Sequence, residues 1–189
     1  MRAARYNPPA SIRVEEIPRP SRAPGEILVR VEVCGLCGSD VGKFAHATGA
    51  AGEVLGHEVA GVVEDADAGA RFSRGERVVV AHHAPCFHCH YCAHGNFSMC
   101  AAFKSSRLVP GGFAEQLVAS AAHAAHTMFA VPPHLSLEAA TSMEPLACAL
   151  KALPRMNLRA GDLVVVYGLG PMGILFAPLL ARHAGARVA

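Results

Sequence analysis

Four cysteines form one block, Cys86, Cys89, Cys92 and Cys100, with gaps of two, two and seven residues. Two-residue gaps let consecutive thiolates turn toward one centre, and the longer gap lets the chain loop back to complete a tetrahedral set. Met1 to Pro20 carries no apolar stretch, which predicts neither a secretory signal nor a membrane anchor, and so a cytoplasmic protein. In that setting four thiolates on one zinc ion are the economical reading, against disulfides or unligated thiols. Such a closed site has no open position, so its expected role is to hold a loop of about residues 82–104. His88, His90 and His94 lie alongside and are expected to be solvated rather than ligands.

A second constellation is dispersed: Cys37-Gly38-Ser39-Asp40 and, further on, Gly56-His57-Glu58. Together they offer one thiolate and one imidazole, with carboxylates at Asp40, Glu58 and Glu144 to orient or complete a three-ligand site whose fourth position stays open. An open zinc site polarises an alcohol oxygen and lowers its pKa, the chemistry that lets hydride leave the carbinol carbon. The third element is Gly168-Leu169-Gly170-Pro171-Met172-Gly173, which follows an apolar run and precedes a helical pattern. In that context the glycines let the backbone approach a pyrophosphate, so dinucleotide binding is expected. The acidic residue that would hold the adenosine ribose falls about twenty residues further on, at or beyond Ala189, which leaves NAD and NADP open.

The elements that must position these groups follow from periodicity. Of 189 residues 52% are hydrophobic and 17% charged, enough to bury a core, and a net charge of +2 without a basic run gives no support to a nucleic-acid partner. Period-two alternation over Glu26 to Val33, and short apolar runs at Val59–Val63, Arg77–Ala81 and Phe113–Val118, predict an all-β region with irregular loops as far as Val131, closest to a small barrel or partly rolled sheet. After Pro132-Pro133 a helix is expected from Leu137, interrupted at Pro145 and resumed over Leu146–Leu153, with Cys148 as a packing residue. A strand at Leu163–Tyr167, a helix at Ile174–His183 and a strand from Arg187 complete the start of a βαβ unit. Leu163 to Ala181 is uncharged and long enough to cross a bilayer, but its three glycines and two prolines argue against a span.

In this combination the chain resembles the zinc-containing medium-chain alcohol dehydrogenase superfamily, and its sorbitol and threonine dehydrogenase-like branch in particular. The likeness runs from Ile12-Arg13-Val14-Glu15-Glu16 through Cys-Gly-Ser-Asp, Gly-His-Glu, the four-Cys block, Pro110-Gly111-Gly112-Phe113-Ala114-Glu115 and Glu144-Pro145-Leu146-Ala147 to the glycines. The resemblance implies a mixed β and α/β fold: a GroES-like β-barrel catalytic domain over residues 1–150, then the beginning of a Rossmann doubly wound domain over residues 151–189. It implies two zinc ions per subunit. Cys37 and His57, with Glu58 or Glu144 as third ligand, would hold the catalytic one, and the four-Cys block the structural one. Ser39 would relay the alcohol proton, Asp40 would orient the zinc histidine, and Gly168, Gly170, Pro171, Met172 and Gly173 would receive NAD or NADP. Where related chains often carry His, this one has Gly42, with His46 as a substitute; and Asp67 stands near a usual glycine.

The expected activity is oxidation of a secondary alcohol or polyol, a small-molecule substrate, with no nucleic-acid or membrane partner. Homodimers or homotetramers are usual for the full-length family. The alternative is a truncated, inactive zinc-binding fragment of such an enzyme.

Overall fold

The chain begins with a hairpin: β1 (Arg2–Asn7) pairs antiparallel with β2 (Ser11–Glu16) in a computed structural model that describes residues 1–9 and 11–189. Contacts group the chain into two units, Met1–Thr141 and Ser142–Ala189, with the division falling somewhat before residue 150. In the first unit the alternating segment becomes β3 (Ile27–Gly35), followed by α1 (Gly38–Ala45), β4 (Glu58–Asp65) and β5 (Arg77–Ala81). Two short helices follow, α2 (His90–Ala93) and α3 (Ala101–Ser105), and then β6 (Gln116–Ala119), α4 (Ala121–His126), β7 (Met128–Ala130) and α5 (Leu137–Thr141).

Five strands form one antiparallel sheet in the order β6-β3-β4-β5-β7. Ile27, Val29, Val59, Val63, Val78, Val80, Leu117 and Met128 turn inward as one core, and α5 packs on β3 and β4. Of the two expected forms, a small barrel or a partly rolled sheet, the described strands form an open sheet. β6 and β7 do not pair among the described residues, because the outer edge of β6 is taken by Val109, which exchanges both backbone hydrogen bonds with Val118 at 3.3 and 2.7 Å. The region is also less purely β than expected. Helix α1 has Gly38, Ser39 and Gly42, all poor helix formers. It is held at its start, where the Cys37 N–H donates to Asp40 Oδ2 at 3.2 Å and the Asp40 N–H to the Cys37 carbonyl at 3.0 Å. Asp67 takes a structural role: its carboxylate accepts from the Gly25 N–H and from Arg22 Nη1, both at 2.6 Å.

The second unit contains α6 (Met143–Ala152), β8 (Leu163–Val164), α7 (Pro171–His183) and β9 (Arg187–Val188). Pro145 does not interrupt the helix as expected. The break falls at Ser142, and Pro145 lies in the first turn of α6, where a missing N–H leaves no intrahelical bond unmade. β8 and β9 pair in parallel across α7, which makes a right-sized βαβ start, and α6 packs on α7. No helix among the described residues is long and apolar enough to cross a membrane; α7 itself carries Pro178.

Leu117 is fully buried in the sheet core. Leu117→Ala is expected to lower unfolding free energy by about 2–5 kcal/mol, read from the midpoint of urea denaturation.

Candidate functional site

The register of the sheet gathers the dispersed constellation. Gly35, the last residue of β3, pairs with Glu58, the first of β4. Cys37 lies two residues past one strand end and His57 one residue before the other, so both reach the same end of the sheet. A side chain at Gly35 would collide with the Glu58 carboxylate, so glycine there is what lets Glu58 lie across the strand. The donor atoms of Cys37, His57 and Glu58 all lie within 4.8 Å of one another, and each residue is half-buried.

Asp40 is the buried neighbour of this set, only 4% exposed. Its carboxylate accepts from the N–H groups of Cys37 and Gly56, each at 3.2 Å, and faces His57 Nδ1 at 3.4 Å. Burial pushes the Asp40 pKa up, but the hydrogen bond and charge of His57 and the two N–H groups outweigh it and hold the carboxyl below its ordinary range. In the metal-free protein the hydrogen bond to Asp40 likewise raises His57, against its burial, to about 9. With Nδ1 turned to Asp40, Nε2 is the nitrogen left for a metal, and the exposed Ser39 hydroxyl lies 3.5 Å from it.

Two glycines close the site from behind. Gly56 has φ +89°, and a Cβ there would stand 2.9 Å from both Cys34 Sγ and the Phe113 nitrogen; at Gly112 it would stand 2.6 Å from Cys34 Sγ. Cys34 is thus wedged between two backbone segments, and burial pushes its thiol up to about 12, a packing sulfur rather than a thiolate. Nothing in the spacing of Cys34 marks it out; only the close packing of the two glycines does.

The four-Cys block also converges. Cys89 and Cys92 sulfurs are 3.6 Å apart, Cys86 and Cys100 3.6 Å, and Cys86 and Cys92 4.0 Å. Tetrahedral zinc with bonds of about 2.3 Å needs sulfurs about 3.8 Å apart, close to these three separations, and all four sulfurs lie within 4.8 Å of one another. His88, His90 and His94 point to solvent, the last two with rings 4.4 Å apart.

Glu144 belongs to the second unit, in the first turn of α6, where its carboxylate accepts from Cys148 Sγ at 3.5 Å. Cys148 is exposed, so the packing role expected for it is not what the structure shows. In the same unit Gly168 has φ +99°, Gly170 caps α7, and Pro171 and Met172 begin that helix. A Cβ on Gly173 would strike the Gly168 carbonyl, so this turn is closed by glycine against glycine.

One neighbour escaped the sequence reading. Ala81 pairs with Glu58, so His82 leaves β5 beside His57, with ring centroids 6.0 Å apart and edge to face. Burial, with the charges of His83 and His57, pushes His82 down to about 3. Only strand register reveals this residue, and register is not written in the composition of either strand.

The residue 23–132 segment matches the alcohol dehydrogenase GroES-like domain model, and the chain belongs to that family. It is 35% identical over 192 residues to the erythritol/L-threitol dehydrogenase of Mycolicibacterium smegmatis, which covers 92% of this chain and 52% of that protein. Among solved structures it is similar to the alcohol dehydrogenase TADH of Thermus sp. ATN1, with TM-score 0.82 and 30% identity over 100% of this chain and 57% of that one. It is also similar to a zinc-binding dehydrogenase of Sinorhizobium meliloti 1021 bound to NADP, with TM-score 0.81 and 31% identity over 99% of this chain and 54% of that one. The chain spans about half the length of the curated relatives it matches.

Because pairing raises the folded-state pKa of His57, the interaction stabilises the metal-free protein fully below the unfolded value of 6.5 and is lost as pH rises through about 9. Asp40→Asn is expected to bring the His57 midpoint, followed by NMR of the imidazole in metal-free protein, down toward 6.5 and to flatten stability across that window.

Proposed function

We propose that the protein is a zinc-dependent dehydrogenase that oxidises a secondary alcohol, of the polyol class, with NAD or NADP as hydride acceptor. The observation that carries this reading is the convergence of Cys37, His57 and Glu58 at one sheet end with the Ser39 hydroxyl on its exposed side. One thiolate, one imidazole and one carboxylate suit a zinc site that keeps a position for substrate. Zinc held there would supply the Lewis acidity that lowers the pKa of an alcohol hydroxyl, and a bound nicotinamide would supply the hydride acceptor.

The protein's own residues do the rest. Asp40 fixes the His57 tautomer and ring plane through Nδ1. Ser39 accepts the alcohol proton at Oγ and, being exposed, passes it to water. Glu58 is the third ligand that the geometry of the first unit favours, and Glu144 is the alternative carboxylate that the family resemblance implies. Cys86, Cys89, Cys92 and Cys100 hold a structural zinc that orders residues 82–104. Gly168, Gly170, Pro171, Met172 and Gly173 receive the dinucleotide pyrophosphate, a role supported by the turn between β8 and α7. The name of the M. smegmatis relative supports the polyol class. The same reading makes the protein cytoplasmic, and it is the full-length members of the family for which homodimers or homotetramers are usual.

Cys37→Ser in the intact protein is expected to take zinc from two ions per chain to one and to abolish polyol oxidation, while Cys89→Ser removes the other ion and lowers stability. Metal analysis and the absorbance change on cofactor reduction check both. Undiminished oxidation in Cys37→Ser would overturn the mechanism, and a protein holding two zinc ions but binding neither cofactor would be the inactive zinc-binding form instead.

A further inference from the structure

Apart from the two donor sets already described, the outer face of the four-Cys loop carries a pair of histidines. His90 opens α2 and His94 caps its end, about one helical turn on, and both are exposed. Their ring centroids lie 4.4 Å apart, with the planes inclined at 42°. The spacing i, i+4 brings two side chains to one face of a helix, the arrangement in which paired histidines share a metal ion. Two imidazoles bound side by side on one ion at about 2.0–2.1 Å have centroids about 4.5–5 Å apart, so the pair already stands close to that separation. The tautomer of one ring is also settled. His94 Nδ1 lies 2.8 Å from the His90 carbonyl oxygen, and a carbonyl only accepts, so Nδ1 carries the proton and donates it. The uncharged ring then keeps its lone pair on Nε2. A hydrogen bond from one ring nitrogen to a backbone carbonyl is what orients a histidine that binds metal through the other.

We propose that His90 and His94 form an accessory site for a divalent transition-metal ion that favours imidazole, such as nickel(II), copper(II) or zinc, on the outer face of the four-Cys loop. The two imidazoles fill neighbouring positions on the ion and water fills the others. Imidazole selects these ions over magnesium and calcium, which take oxygen ligands. Cys92 and Cys100 are buried whereas both histidines are open to solvent, so the accessory ion exchanges freely and the four-Cys ion does not. The site therefore adds an ion to the protein's zinc complement only when metal is supplied in excess. It depends on the folded loop alone and not on the donor set around Cys37.

The test titrates nickel(II) into the intact, zinc-loaded protein by calorimetry, with the zinc content of the chain measured before and after. The wild type is expected to take up one nickel ion per chain without losing zinc, and to give no response to magnesium. His90→Ala and His94→Ala should each weaken nickel binding by about a hundredfold, because a second ligand held in place acts at high effective concentration, and the double variant should abolish it. His94→Gln, whose amide can still donate to the His90 carbonyl, should lose nickel as His94→Ala does. All of these variants are expected to keep their zinc. Nickel binding that survives in the double variant, that responds to one histidine and not the other, or that proceeds only by displacing zinc would overturn the proposal, as would magnesium bound equally tightly. Loss of zinc in the variants would overturn it in favour of histidines that merely support the four-Cys block.

Discussion

The candidate site hangs on one buried carboxylate. Asp40 accepts hydrogen bonds from two chain segments that are far apart in sequence, the Cys37 N–H at the start of α1 and the Gly56 N–H in the loop before β4, and it faces the imidazole that follows Gly56. Charge-assisted hydrogen bonds are about twice as strong as neutral ones, and a carboxylate this far from water tolerates its charge only when its oxygens are answered. The same contacts that make Asp40 affordable therefore fix the separation of Cys37 from His57. A metal ion arriving there would meet donors already oriented, with little side-chain freedom left to lose.

That arrangement is possible only because backbone approaches backbone closely behind it. The Gly112 N–H donates to the Gly56 carbonyl at 2.8 Å and the Phe113 N–H to the Leu55 carbonyl at 2.9 Å, tying the loop that carries His57 to the segment before β6. Gly56 and Gly112 both stand against Cys34, so any Cβ at either position would push one of these segments away. Cys34 is small, apolar and protonated, the properties that such a gap demands. The residues with no chemistry of their own thus decide where the reactive ones stand.

Much of the site is legible in the sequence because its signals are local. The spacing of Cys86, Cys89, Cys92 and Cys100 sets the geometry of a loop, and Gly168 to Gly173 sets that of a strand-to-helix turn, so each can be read within one short segment of the chain. The alternation of Ile27, Val29, Val31 and Val33 likewise foretells which face of β3 is buried. What is not local is not legible. Closure of a barrel depends on which strand claims the edge of β6, and Val109 claims it from an irregular loop. Helix α1 is invisible to propensity because its stability comes from the reciprocal Cys37–Asp40 cap rather than from its glycines and serine. Pro145 misleads for the opposite reason: its effect depends on whether it falls inside a helix or in its first turn, and the true start lies at Ser142–Met143.

The same logic explains why His57 and His82 come together although nothing in either segment announces it. β4 and β5 run antiparallel with Glu58 opposite Ala81, and a slip of one residue would send alternate side chains to the other face. Val59, Val63, Val78 and Val80 all belong to the core, so such a slip would expose them, and hydrophobic burial locks the register. The polar residues at the sheet end inherit that register without contributing to it. Core packing that has no part in any reaction therefore sets the 6.0 Å between two imidazoles, and a substitution deep in β5 would reach the site by shifting the strand rather than by touching a ligand.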